Sequence, residues 1–216
     1  DGHRLALARS VIDVDAALNM QAILPRKAVI ELERLTLELS KLLGDNDNAL
    51  TLSFGREFLQ VSLPFGEVDS TGRIGSELMV TFTARLIDGK FPDYRRVMPS
   101  STDKLALMNQ EKLADVLRRV AILSNEKSRG VVLSFSGDGT VEIRANNAEQ
   151  DEAIEVLQVK YQGEPIELSF NAAYIQDVLS VTQGDVQMHM SQSNASVLVN
   201  QLGDELHQYV IMPMRI

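Results

Sequence analysis

Asn171-Ala-Ala-Tyr-Ile-Gln-Asp-Val-Leu-Ser-Val-Thr-Gln-Gly184 is the stretch on which the fold turns. Asn171 is a helix-capping residue, Tyr174, Ile175, Val178 and Leu179 recur at helical spacing, and Gly184 ends the segment. Three strands follow, centred on Met188, Val197 and Ile211. The same order of elements opens at Pro25. There Ala28, Leu32, Leu35, Leu39 and Leu42 mark an amphipathic helix that Gly44 and Asp45-Asn-Asp-Asn48 stop. Leu50, Leu52 and Phe54, then Leu59, Val61 and Leu63, alternate on either side of Gly55-Arg-Glu57 as a hairpin. After a polar loop over Gly66 to Glu77, Leu78, Val80, Phe82 and Ala84 alternate as a third strand. Helix followed by three strands is therefore an internal repeat of topology.

A different unit lies between the two copies. It predicts a strand at Leu105 to Leu107 and a helix from Gln110, with Leu113, Val116, Leu117 and Val120 on one face. Strands follow at Val131 to Phe135 and Val141 to Ala145, around the turn Gly137-Asp-Gly139, then at Ile154 to Tyr161 and Ile166 to Phe170. That unit plus the repeated one gives a complete module from about Asp103 to Ile216. Upstream, Asp1-Gly2 is a turn signal, Leu5 to Leu7 a short strand, and another strand ends at Ile23-Leu24. Phe91 to Pro99 reads as an extended connector, because each proline biases its predecessor away from helix. The expectation is an α+β fold of repeated antiparallel-sheet modules with two helices per complete module. Residues 1 to about 100 then form the back of a preceding module whose front is missing, and the start at Asp1 rather than methionine points to a fragment.

Composition bounds the function. The chain of 216 residues is 44% hydrophobic, enough for proper cores, and has a formal net charge of -9, which repels nucleic acid at long range. Any nucleic-acid contact must come from a local basic surface. There is no cysteine, hence no disulfide, thiolate metal site or cysteine nucleophile, and no apolar run long enough to cross a membrane. A cytoplasmic location without membrane contact is expected. No Gly-x-Ser-x-Gly elbow or Gly-x-x-x-x-Gly-Lys-Ser/Thr loop occurs, and His3, His189 and His207 lack the spacing of metal ligands. Asp45 to Asn48 and Gly137 to Gly139 lack the spacing of a calcium loop. Neither catalysis, cofactor nor metal is expected. The alternative is a hydrolase or transferase with a site around Asp1, His3 and Arg96.

The chain closes on Tyr209-Val-Ile-Met-Pro-Met-Arg-Ile216, a strand over Tyr209 to Met212 cut off by Pro213. Together with Asp1-Gly-His-Arg-Leu5, Pro25-Arg-Lys27, Asp88-Gly-Lys-Phe-Pro-Asp-Tyr-Arg-Arg-Val97, Ile122-Leu-Ser-Asn-Glu-Lys127 and Ala145-Asn-Asn147, this ending closely resembles the beta subunit family of bacterial DNA polymerase III, the sliding clamps. The resemblance runs in register from end to end. It implies a DNA clamp fold in which residues 1–96 are the C-terminal portion of the second domain and residues 97–216 the third. It also implies a non-enzymatic processivity factor that encircles duplex DNA, without reading its sequence, as a ring of two head-to-tail subunits. Partners would be the polymerase III alpha subunit, the clamp loader, other polymerases and mismatch-repair proteins, all docking short linear motifs in one groove.

Carried over residue by residue, the resemblance assigns that groove to Gly2, His3, Arg4, Leu5, Pro92, Arg96, Val97, Asn171, Tyr174, Asn194, Ser196, Val210, Ile211, Met212, Pro213, Met214 and Arg215. Leu5, Val97, Val210 and the two methionines would supply an apolar floor, and His3, Arg96 and Tyr174 orienting polar groups. Arg26 and Lys27 at a helix start, with Lys112, Arg118 and Arg119 on the second helix, are the DNA-facing candidates. Cations at a helix N-terminus oppose its dipole, so folding alone does not account for them. Ile122, Leu123, Asp151, Glu152 and Glu155 match the family's subunit interface on the third domain. Two departures stand out: Ser128, where relatives often carry an aromatic residue, and a Gly66 to Glu77 connection that looks long for the family.

Overall fold

Residues 2–12, 20–43, 50–65 and 78–215 are described by a computed structural model of the chain. Two units can be distinguished, Val14–Pro92 and a second that joins Asp1–Asp13 to Asp93–Ile216. The fold is α+β.

In the first unit, helix α1 (Arg26–Leu43) follows Pro25, whose carbonyl accepts from the amides of Ala28 and Val29. Leu32, Leu35 and Leu39 face a core with Leu59, Val61 and Leu63 of strand β3 (Phe58–Phe65). Strand β2 (Thr51–Phe54) and strand β4 (Leu78–Arg85) flank β3 in an antiparallel sheet of order β2-β3-β4. The helix and its three strands thus match the predicted order. Gly44, Asp45 to Asn48, the Gly66 to Glu77 connection and the side chain of Leu42 lie outside the described residues. Ile23-Leu24 is not a strand: among the described residues its one ladder-like bond is from the Ile87 amide to the Ile23 carbonyl, at 2.8 Å.

The second unit begins with strand β1 (Arg4–Ala8) and ends with strand β13 (His207–Ile211), which pair antiparallel. Between them lie strand β5 (Lys104–Asn109), helix α2 (Gln110–Val120), strands β6 (Gly130–Ser136), β7 (Thr140–Asn146), β8 (Glu152–Gln158), β9 (Lys160–Gln162) and β10 (Ile166–Asn171), helix α3 (Ala172–Leu179), and strands β11 (Asp185–Met190) and β12 (Val197–Gln201). They form a six-stranded sheet of order β1-β13-β12-β11-β5-β9 and a four-stranded sheet of order β10-β6-β7-β8. The stretch expected as a single strand from Ile154 to Tyr161 is two strands in two sheets. Val159 is the joint: it is buried, and its amide bonds the Gly139 carbonyl at 2.9 Å, so the chain leaves one ladder before entering the other. Gly139 has φ +84, which a side chain would strain, and closes the β6–β7 turn.

Both helices begin as their sequences dictate. The Asn109 side chain caps α2 by accepting from the Lys112 amide at 3.1 Å, and the Asn171 side chain caps α3 from the Ala173 amide at 2.9 Å. Leu113, Val116, Leu117 and Val120 are all buried, and α2 packs on β5, β7, β8 and α3. Ile175, Val178 and Leu179 of α3 join them, with Leu133, Phe135 and Ile143 from one sheet and Val186, Met188 and Val199 from the other. The predicted extended connector contains one tight turn, Tyr94–Arg96, because the Asp93 side chain caps it from the Arg95 amide at 3.2 Å. That local capping outweighs the extended bias of the two flanking prolines.

Leu117 is fully buried, so Leu117→Ala removes its packing and leaves a cavity. The expected cost is about 2–5 kcal/mol, read as a lower urea midpoint for the unit that contains α2.

Candidate functional site

The chain's two described ends meet. Arg4 pairs with Ile211 and Leu5 with Val210, and the Met212 amide donates to the His3 carbonyl at 2.8 Å, one bond past the end of β13. Pro213 has no amide hydrogen, so the ladder stops there. The Met214 amide then donates to the Ser169 carbonyl of β10 at 2.7 Å. The last residues therefore leave the six-stranded sheet and cross to the four-stranded one, pinned on each side of the proline. Met212, Pro213 and Met214 are half-buried and Arg215 is exposed. Val210 and Ile211 are buried at 2% and 1% exposure, which makes them support beneath this surface rather than its lining.

Tyr174 of α3 stands beside this crossing. The Arg4 guanidinium lies 4.6 Å from its ring centroid, and the His3 ring is 6.5 Å away and tilted. Arg4 also forms an ion pair with Asp177, one helical turn beyond Tyr174. Asn171 spends its side-chain oxygen on the α3 cap. Ser196, half-buried, precedes Val197, the residue of β12 opposite Ile211, and Asn194 is exposed in the same turn. Val97 is half-buried after the Tyr94–Arg96 turn, and Arg96 is exposed with Asp93 at 3.8 Å. Pro92 belongs to the other unit. Asp1, needed by the alternative acid-base reading, lies outside the described residues.

The candidate DNA-facing cations divide into two groups. Among the described residues Arg26, Lys27 and Lys112 are exposed and make no ion pair. Arg118 pairs with Asp115 at 2.7 Å, and Arg119 reaches Glu155 with both Nε and Nη2 at 2.6 Å. One residue assigned to DNA and one assigned to the subunit interface are thus each other's partner. The rest of the candidate interface surrounds the end of α2. Ile122 is 77% exposed in the tight turn Ala121–Leu123, where Leu123 is half-buried. Asp151 accepts from the Asn147 side chain at 3.0 Å, and Glu152 starts β8, the edge strand of its sheet.

Comparison with known proteins adds a family. The profile of the DNA polymerase III beta subunit, C-terminal domain, matches residues 95–215, and that of its central domain matches residues 1–93. The chain belongs to the DNA polymerase III beta subunit family. The beta sliding clamp of Vibrio cholerae is 42% identical and that of Escherichia coli K12 38% identical, each over 100% of this chain and 53% of the relative. Among solved structures, a sliding clamp from Pseudomonas aeruginosa bound to griselimycin superposes with a TM-score of 0.83 at 39% identity, covering 100% of this chain and 53% of that one. The Caulobacter crescentus polymerase III beta structure has a TM-score of 0.83 at 30% identity, again with 100% and 53% coverage. The chain therefore spans about half the length of the relatives it matches.

Two contributors were invisible in the family pattern carried over from sequence: Asp177, which holds Arg4, and the Ser169 carbonyl, which holds Met214. Tyr174 and Asp177 are three apart on a helix, so their shared face was readable. Arg4 is 173 positions away, and nothing local announces the pairing.

The Arg119–Glu155 pair makes a testable pH dependence. Hydrogen bonds from Arg119 hold the Glu155 carboxyl below the ordinary glutamate range. Its stabilisation is complete above that ordinary range and is lost as pH falls through the lowered one. Glu155→Gln is therefore expected to melt below wild type by calorimetry at neutral pH, with the difference disappearing in acid.

Proposed function

We propose that this chain is the part of a bacterial sliding clamp that receives partner peptides, with residues 1–96 from the second domain and 97–216 from the third. The observation that carries the reading is the crossing of the last residues. Met212 and Met214 are held half-buried by backbone bonds on either side of Pro213, beside Arg4, His3 and Tyr174. Thioethers adapt to differently shaped apolar side chains, and neighbouring polar groups orient the peptide backbone. Within the unit that holds Arg4 and Met212, the groove comprises the residues that the family resemblance assigns there, with Val210 and Ile211 buried beneath the others. Its partners are the polymerase III alpha subunit, the clamp loader, other polymerases and mismatch-repair proteins.

Burying two apolar anchors gains about 3–6 kcal/mol, less the cost of ordering the peptide. Exchangeable binding follows, which suits successive enzymes sharing one site. Duplex DNA passes the helices without base readout, through Arg26, Lys27 and Lys112 first, since Arg118 and Arg119 already have carboxylate partners. The complete protein closes as a homodimer, with Ile122 and the β8 edge supplying the third-domain half of the joint. It works in the bacterial cytoplasm, at the nucleoid during replication, and catalyses nothing itself.

Fluorescence anisotropy with a labelled peptide of the Gln-x-x-Leu-Phe type tests the groove. Saturable binding is expected, with about a tenfold or greater loss in a Met212→Ala, Met214→Ala double variant. Absence of saturation by the wild-type chain would overturn the reading. In the full-length ring, Arg26→Glu with Lys27→Glu is expected to shorten residence on circular DNA in a salt-dependent manner. Unchanged residence across salt concentrations would remove these two residues from the DNA-facing set.

A further inference from the structure

Asp177 has no assigned role and little structural reason to be where it is. Its side chain is 64% exposed, and an exposed ion pair adds little to stability. What it does is geometric. Tyr174 and Asp177 lie one turn apart on α3, and Arg4 comes from the first residue of β1 to meet both. The guanidinium is planar and holds its donors in a fixed fork, so an aromatic ring and a carboxylate together help to orient it. The Arg4 Cζ lies over the Tyr174 ring, and its Nη1 donates to an Asp177 carboxylate oxygen. The residue before Arg4 is His3, whose carbonyl accepts from the Met212 amide. The Arg4–Asp177 pair thereby connects helix α3 and strand β1, next to the terminal crossing.

We propose that Asp177 is the positioning residue of the groove's polar wall: it lays Arg4 on Tyr174 before a peptide arrives. The inference rests on the groove reading above and deepens it. A long, flexible side chain loses rotamer freedom when a ligand orders it, and that loss is subtracted from affinity. With Asp177 in place the ordering is complete in the unbound protein. The ligand class follows from the same geometry. Arg4 already faces a carboxylate, so the peptide that gains from this wall is one without an acidic group at that end. Because the pair is exposed, salt screens it. Binding of an uncharged peptide should therefore still weaken with salt in the wild-type protein.

The test pairs a spectroscopic signature with a titration. In the wild-type chain the Arg4 side-chain Nε–H resonance is expected to carry a ring-current shift from Tyr174. Asp177→Asn should abolish that shift, and Asp177→Glu, which keeps the charge, should restore most of it. An uncharged fluorescent peptide of the Gln-x-x-Leu-Phe type should bind Asp177→Asn about 2- to 10-fold more weakly than wild type. Asp177→Glu should recover the affinity, and the salt dependence should vanish in Asp177→Asn alone. An unchanged Arg4 resonance in Asp177→Asn overturns the placement. A changed resonance with unchanged affinity overturns the role in the groove while leaving the groove reading intact. Failure of the wild-type chain to bind overturns the groove reading itself, and the role of Asp177 with it.

Discussion

The pairing of the first described strand with the last is the constraint on which this architecture rests. Strand β13 is held on one side by β12 and needs a second neighbour if its other row of amides and carbonyls is not to face solvent. Strand β1 takes that place, with Arg4 opposite Ile211 and Ala8 opposite His207. Once the register is set, His3 must lie beside Met212, and one more bond forms. Pro213 then forbids another, and the backbone turns toward β10. Two methionines end up half-buried for a reason that lies in the backbone.

Charge is distributed with similar economy. A net charge of -9 coexists with helix α1, which opens on Arg26 and Lys27 and has no acidic residue in its first turn. On α2 the capping Asn109 and the acidic Glu111 suit the helix N-terminus, and Arg118 and Arg119 suit its C-terminal end. Both arginines also meet carboxylates, one on the helix and one on β8. Among the described residues Arg26, at the start of α1, has no such partner, and Lys27 has only the charge of Glu31 one turn on. That contrast separates residues explained by folding from residues that need another explanation.

Much of this was legible in sequence because local geometry writes local periods. Leu113, Val116, Leu117 and Val120 announced α2, and Asn171 announced the start of α3. The repeat of helix and three strands was equally plain. Where the sequence misled, a tertiary preference had overridden a local one. Leu157, Val159 and Tyr161 alternate with polar residues without a break, yet the chain changes sheets at Val159 because a buried residue and the Gly139 carbonyl require it. Ile23-Leu24 looked like a strand but, among the described residues, gains only the bond to Ile87.

The candidate site divides in the same way. The chain by itself determined the order of elements, the apolar faces and, through motif blocks distributed from Gly2 to Arg215, the family and the residues to inspect. Side-chain periodicity of two or 3.6 residues carries that information. The tertiary structure alone decided which charges met: Arg4 with Asp177, and Arg119 with Glu155. It also decided that Val210 and Ile211 would lie beneath the terminal crossing rather than on it. Such partnerships join residues 36 and 173 positions apart, and packing selects them, because no local repeat reaches that far.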